Sequence, residues 1–313
     1  MPSRSMLPLL LLVAVTVLWG YTFVTVQDAV AVYPLFAFLC VRFAISTAVL
    51  APFAWRPLRR LPLRGWVTGA GVGSVLAIAY ALQTAGLHLG TVSSAGLITG
   101  LYVVFTPLIT LTLFGTRVPA AAWLGIGISL AGLALLSGVP GGSLSANALL
   151  LGNAIAQSFQ IASMERFAPR YDARALTFLQ MAVCCSGFTV IALALGQLET
   201  PHGGTVWSAL VVTGVFAGAL GYLVATWVQA RTTAARAALV FMLEAPFAAF
   251  FGVLLAGDRL GWIGWSGCGL MLVGIVIAEP AAGDALQRIL PGRVRPVERR
   301  PLWRSLRRSA AGG

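Results

Sequence analysis

A single carboxylate, Glu244, stands near the middle of the apolar stretch 237–257, AALVFMLEAPFAAFFGVLLAG. Counted at ~1.5 Å per residue from Arg231 and Arg236, it falls about halfway through a hydrocarbon core ~30 Å thick. An ionised acid there is costly unless it is paired, protonated or faces water, so it marks a candidate functional site. Two readings are open. Glu244 is a proton carrier or the counter-charge of a cationic solute, or it is a neutral acid hydrogen-bonded between helices. Pro246, two residues on, removes a helix hydrogen bond and frees a carbonyl one turn back.

Arg42 is the second charge inside an apolar run, about eight residues or ~12 Å from its nearer end. It can clamp a carboxylate through two parallel hydrogen bonds, pair with Glu244, bond to carbonyls, or snorkel outward. Neutral polar residues fall into helical stripes. Tyr80, Gln83 and Thr84 share one face, Tyr222, Thr226 and Gln229 another, and Asn153, Gln157 and Gln160 a third. Such stripes must face protein or water rather than lipid, either as glue between helices or as the wall of a polar cavity. Trp19 is a candidate apolar wall for that cavity.

Catalytic chemistry finds little footing. His88 and His202 lie in predicted loops without a ligand partner at useful spacing. The 21 basic residues are all arginine, so a phosphate-binding loop that ends in Lys-Ser/Thr is excluded, and ATP hydrolysis with it. The Ser137-Gly138 pair has no base on a neighbouring span. The four cysteines (Cys40, Cys184, Cys185, Cys268) sit in apolar runs as small packing residues. No enzyme activity, metal or cofactor is expected.

These residues need a scaffold, and the composition says which kind. At 58% hydrophobic and 10% charged, the 313-residue chain is too apolar for a soluble domain. Ten membrane spans are predicted at 7–26, 34–55, 66–87, 93–114, 120–136, 146–167, 175–198, 206–228, 234–256 and 261–278. With the N-terminus in the cytoplasm, every arginine except Arg42 and Arg259 falls in a cytoplasmic segment. That asymmetry obeys the positive-inside rule with both termini cytoplasmic, and it explains the net charge of +12 without a nucleic-acid partner. Trp55, Trp66, Trp207 and Trp262 fall near the expected interfaces. The segment 280–313 reads as a basic, disordered tail that fixes topology.

Two stretches align at a constant offset of 142. GTRV at 115–118 matches GDRL at 257–260, Tyr80 pairs with Tyr222, Thr84 with Thr226, Thr91 with Thr233, and Leu101 with Leu243. Gly125, Gly127 and Gly132 pair with Gly267, Gly269 and Gly274, and Tyr102 pairs with Glu244. Each half holds five spans, an odd number, so the second copy enters the membrane inverted. This architecture places a site near the midplane and suits alternating access. The glycines, including the Gly214/Gly218 pair, are expected to let helices approach closely.

The last two spans of each half resemble the EamA family of the drug/metabolite transporter superfamily, on TVSSAGLITGLYVVFTPL…GTRV…WLGIGISLAGLALL and TTAARAALVFMLEAPFAAFFGVLLAGDRL…WIGWSGCGLMLVGIVIAE. The Trp19-Gly20 pair with Phe23, and Arg42-Phe43, resemble the family's first two spans. Two positions depart from it: Ala245 separates Glu244 from Pro246, and Thr116 stands where an acid is common. The resemblance implies an inner-membrane carrier of small metabolites, often an exporter.

The expectation is therefore an all-α membrane protein of ten transmembrane helices, two inverted five-helix repeats (1–138 and 146–279) around a central cavity. It would be a secondary transporter of a small polar metabolite such as an amino acid, in a bacterial inner membrane. Substrate contacts are assigned to Trp19, Arg42, Tyr80, Gln83, Thr84, Tyr102, Gln157, Tyr222 and Glu244, with proton coupling at Glu244. The alternatives are an uncoupled facilitator and a scaffold acting through its basic tail. Partners are the solute and membrane lipids; oligomeric state is open.

Overall fold

A computed structural model describes residues 6–90, 92–115, 118–136, 143–257 and 259–278. Arg4, Thr91, Thr116, Arg117, the Ser137-Gly138 pair, Asp258 and the basic segment 280–313 lie outside the described residues. All regular structure among the described residues is helical. Three long helices open the chain: α1 (Met6–Val30), α2 (Leu35–Arg59) and α3 (Leu63–Leu89). Then come α4 (Val92–Gly100), α5 (Tyr102–Phe114), α6 (Ala120–Leu136) and α7 (Leu144–Phe167). A 3₁₀ turn (Ala168–Arg170) leads to α8 (Ala173–Ala194). The rod that follows comprises α9 (Gly204–Val211), a π-helical segment (Val212–Gly221) and α10 (Tyr222–Gln229), before α11 (Ala234–Phe241), α12 (Glu244–Leu255) and α13 (Trp262–Ala278).

Six helical stretches are long and apolar enough to cross a bilayer: Leu10–Val30, Leu35–Arg59, Leu63–Leu89, Ala173–Ala194, Gly204–Gln229 and Ala234–Leu255. Shorter apolar helices, Ile98–Phe114, Ala120–Leu135 and Trp262–Ile277, accompany them. The 24-residue α7 is long enough but is kept out of that class by its Asn and Gln residues. Polarity is distributed inside out. Val67, Leu254 and Val276 are exposed, while Arg42, Gln160, Gln180 and Glu244 are buried. In water that arrangement would be untenable; against lipid it is the stable one. The chain is a multi-pass membrane protein.

Loops gather on two opposite faces. On one, Tyr33 donates to the Glu199 carbonyl (2.6 Å), and the Phe36 amide donates to the Gln197 side chain (3.3 Å). The other face holds the arginine-bearing ends of α2, α8 and α10. Asp172 caps α8 there, accepting from the Arg174 amide at 2.8 Å. The four tryptophans expected at interfaces are all exposed. His88, expected in a loop, instead ends α3.

The tightest seam joins α6 to α13, and small residues make it possible. A side chain on Gly132 would meet the Gly267 carbonyl at 2.6 Å, and one on Gly274 would meet the Gly125 carbonyl at 2.6 Å. Between them Ser129 donates to the Met271 carbonyl (3.3 Å). In the π segment, Gly214 and Gly218 let α2 approach so closely that Ser46 donates to the Gly214 carbonyl at 2.7 Å. The other close pairings are α2 with α8, where Phe43 and Phe188 stack at 5.6 Å, and α3 with α7.

Two expected spans are interrupted. The stretches 93–114 and 234–256 each break in mid-course, at Leu101 and at Met242–Leu243. At the second break Pro246 has no amide for the Met242 carbonyl, which instead accepts from Ala245 at 3.1 Å. The freed carbonyl expected one turn back is thus satisfied by a tighter turn. The first break repeats the pattern without a proline, through Leu101 to Ile98 (3.1 Å) and Val104 to Leu101 (3.0 Å).

Candidate functional site

The two breaks face a common cavity. It is lined from α1 by Trp19, Thr22, Phe23 and Val26, from α2 by Arg42, and from α3 by Tyr80, Gln83, Thr84 and Leu87. Thr99 of α4, Tyr102 of α5, Gln157 of α7, Tyr222 of α10, Phe241 of α11 and Glu244 of α12 complete the wall. All nine residues assigned to substrate contacts from the sequence are on it. The space that the centre of a water molecule can reach is about 40 Å³, room for a few waters.

Both breaks put a polar side chain at the first residue of the following helix, Tyr102 for α5 and Glu244 for α12. A helix N-terminus carries partial positive charge and favours an acid in its first turn, so the broken helix suits Glu244 as a regular one would not. Glu244 is 6% exposed. The Tyr102 hydroxyl lies within its electrostatic reach, yet is buried without a well-formed hydrogen bond.

Arg42 is 3% exposed and settles on aromatic faces. Its guanidinium lies 4.7 Å from the Tyr80 ring centre and 5.4 Å from that of Phe43, and it donates to the Tyr80 hydroxyl at 3.4 Å. It is buried rather than snorkelling outward, and among the described residues it bonds to no carbonyl. The possible pairing with Glu244 is not formed: among the described residues no ion pair joins them, and the Arg42 Nε has no partner. Placing an arginine at such depth costs about 3 kcal/mol. Desolvated cation–π contact returns about 2 kcal/mol. The Nε is left without an acceptor among the described residues.

An aromatic chain ties the walls together. Trp19 lies 5.1 Å from Tyr222 and 5.2 Å from Phe241, Tyr222 lies 6.1 Å from Tyr80, and Tyr80 lies 5.0 Å from Phe43. The Trp19 Nε1 donates to the Ala217 carbonyl of the π segment (3.2 Å). A wide π turn offers carbonyls sideways that an α-helix would keep for itself.

Of the polar stripes, only the first reaches the cavity whole. In the second, Thr226 and Gln229 are buried away from it, with the Thr226 Oγ1 and Gln229 Nε2 unpartnered. In the third, Asn153 donates to Thr99 (3.0 Å) and Gln160 to Gln180 (2.9 Å), leaving Gln157 for the cavity. Sequence reasoning missed Thr22, Phe23, Val26, Leu87, Thr99 and Phe241. The spacing of Trp19, Thr22, Phe23 and Val26 marks one helix face, but threonines lie on several faces of this largely apolar helix and do not say which one looks inward. The four cysteines form no disulfide, and no group of three or more His, Cys, Asp or Glu residues among the described residues could hold a metal.

Comparison with known families decides the class. The model of the EamA-like transporter family matches residues 6–138 and again 144–278. The chain belongs to the EamA-like transporter family. An uncharacterized transporter of Archaeoglobus fulgidus is 28% identical over 86% of this chain and 84% of its own length. The uncharacterized inner membrane transporter YedA of Escherichia coli K12 is 33% identical over 47% of this chain and 48% of its own. A solved crystal structure shares the fold, with a TM-score of 0.68 at 21% identity, across 90% of this chain and 99% of the other. The family and these transporter-named relatives point to a membrane transporter, so the cavity is where a small solute is to be sought.

Proposed function

We propose that this protein is a secondary transporter that carries a small polar metabolite, such as an amino acid or related solute, by alternating access through the cavity between the two broken helices. One observation carries the reading. Two ionisable side chains of opposite type, Arg42 and Glu244, are buried on one cavity wall and no ion pair joins them. Each lacks the ionic partner that a purely structural role would supply. Arg42 offers its fork to a carboxylate of the solute, Glu244 takes its ammonium group or a proton, and the tyrosines and glutamines hold the neutral parts. The confined volume means that solute entry requires the wall to widen.

The ten-helix reading, two inverted five-helix repeats around the cavity, draws support from reciprocal packing. Gly132 meets Gly267 while Gly274 meets Gly125, and these residues are repeat mates with partners exchanged. The same exchange holds for whole helices: α4 packs on α12 as α11 packs on α5, and α1 packs on α12 as α7 packs on α5. Exchange of this kind is what a two-fold axis produces. The arginine-rich face then lies in the cytoplasm of a bacterial inner membrane, with both termini, and the family resemblance favours export.

The test measures solutes inside and outside cells that overproduce wild type, Glu244→Gln or an empty vector, at two external pH values. A metabolite class moved by wild type in a pH-dependent manner that Glu244→Gln abolishes is the expected result. Transport unchanged in the variant makes Glu244 structural and the protein an uncoupled facilitator. No movement of any solute across a broad panel counts against transport and favours the scaffold.

A further inference from the structure

A second cavity, remote from the first, opens on the arginine-rich face. One wall is the end of α2 and the turn after it, from Pro52 and Phe53 through Trp55 and Arg56 to Arg60. The opposite wall is the junction between α7 and α8, with Arg170, Tyr171, Asp172 and Arg174. Its volume is about 750 Å³, within the range of small-molecule sites. Four arginines face one carboxylate. Asp172 is already committed to Arg174, through bonds of 3.1 and 2.9 Å. Arg56, Arg60 and Arg170 have no carboxylate within ion-pair distance among the described residues.

We infer that this cleft binds the headgroup of an anionic phospholipid. Charge supplies the first argument: three guanidiniums without a carboxylate partner among the described residues, Arg170 resting over the Phe167 ring at 5.8 Å, match a phosphate diester, which each can grip with two hydrogen bonds. Topology needs arginines only on that side of the membrane, not converged on one cleft. Depth supplies the second. Phe53 (59% exposed) and Trp55 (62% exposed) lie on the same wall, roughly 10 Å nearer the helix centre than Arg60 in the case of Phe53. The cleft therefore grades from apolar to cationic over about the thickness of a headgroup layer, as an acyl chain below a phosphate requires. The segment 280–313 carries eight arginines from Arg288 to Arg308 against two acidic side chains, Asp284 and Glu298, so its net charge does not complement the cleft. A bound lipid would bridge the α2 and α8 sides of the molecule, ending in a region already tight, where a side chain on Gly65 would meet Tyr171 at 3.1 Å.

The experiment uses the full chain, purified and delipidated in a neutral detergent. Native mass spectrometry follows uptake of dioleoylphosphatidylglycerol, and thermal melts are run in parallel with that lipid, with dioleoylphosphatidylcholine and with inorganic phosphate. Wild type should retain phosphatidylglycerol on the order of tenfold more tightly than phosphatidylcholine, and melt higher with it. Arg56→Gln/Arg60→Gln should erase that preference. Arg166→Gln/Arg231→Gln, which removes equal charge outside the cleft, should keep it. Equal loss in the two double variants, or no preference in wild type, overturns the inference. Stabilisation by inorganic phosphate as large as that by the lipid overturns the lipid assignment in favour of a soluble anion. Should the Arg56/Arg60 variant fail to fold, Arg170→Gln on the opposite wall decides the matter by the same readout.

Discussion

The helix pairs α4–α5 and α11–α12 are the same device used twice, with different chemistry at the hinge. Both break at residues 142 apart, Leu101 and Leu243, and both present the next side chain to the cavity. One presents a phenol, Tyr102, and the other a carboxylate, Glu244. Backbone geometry has been kept in both halves while the charge appears in only one. The α6–α13 seam is the opposite case, where mates Gly132 and Gly274 make the same contact from both sides. Packing follows the repeat, and the site departs from it.

That contrast can be broken most forcefully at Glu244. Glu244→Gln should lower transport on the order of tenfold to a hundredfold and flatten its pH dependence, whereas Tyr102→Phe should cost no more than a fewfold. Equal effects at the two positions would erase the distinction. Arg42→Gln comes next: loss of the fork should weaken apparent affinity for a carboxylate-bearing solute about tenfold to a hundredfold, with Arg42→Lys only partly restoring it. A solute whose affinity is unchanged by Arg42→Gln does not use that side of the cavity.

Smaller effects sharpen the symmetric half of the comparison. Gly132→Val and Gly274→Val should each destabilise the protein by about 1–3 kcal/mol in detergent melts, by similar amounts, because both side chains run into backbone. Gly127→Ala, with nothing within 4 Å, should be nearly silent. Smallest of all is Asp172→Asn, at an exposed pair outside the bundle. The Arg174 guanidinium beside it holds the Asp172 carboxyl below the usual carboxylate range. Its folded value is depressed, so its stabilisation is present above the unfolded value near ~3.9 and is lost as pH falls through the folded one. Asparagine still caps α8, so at pH 7 the melt should shift by less than ~1 kcal/mol, and the shift should shrink as the pH falls through the depressed folded value.

Charge placement and helical spacing made much of this legible in advance. Glu244 and Arg42 stood out because a charge in an apolar run has few explanations, and Tyr80, Gln83 and Thr84 because three polar residues one turn apart need a common neighbour. Thr99 and Phe241 did not stand out, since a threonine or phenylalanine in an apolar helix is ordinary on any face. The break at Leu101 was hidden too. Its counterpart has Pro246 as a marker, while the first half makes the same turn from hydrogen-bond geometry alone. On α10 the spacing left glue and cavity wall equally open: Thr226 and Gln229 share Tyr222's face, but only Tyr222 lines the cavity. The π segment that precedes Tyr222 has no signature beyond its glycines.

The first cavity, at about 40 Å³, has a consequence beyond binding. A membrane potential of 100 mV drives each elementary charge with about 2.3 kcal/mol, and any file of water through the protein would let protons run down it. A few isolated waters make no such wire. In the transport reading, so small a water-filled space adds no continuous path for protons, and the host membrane would keep its voltage between transport cycles.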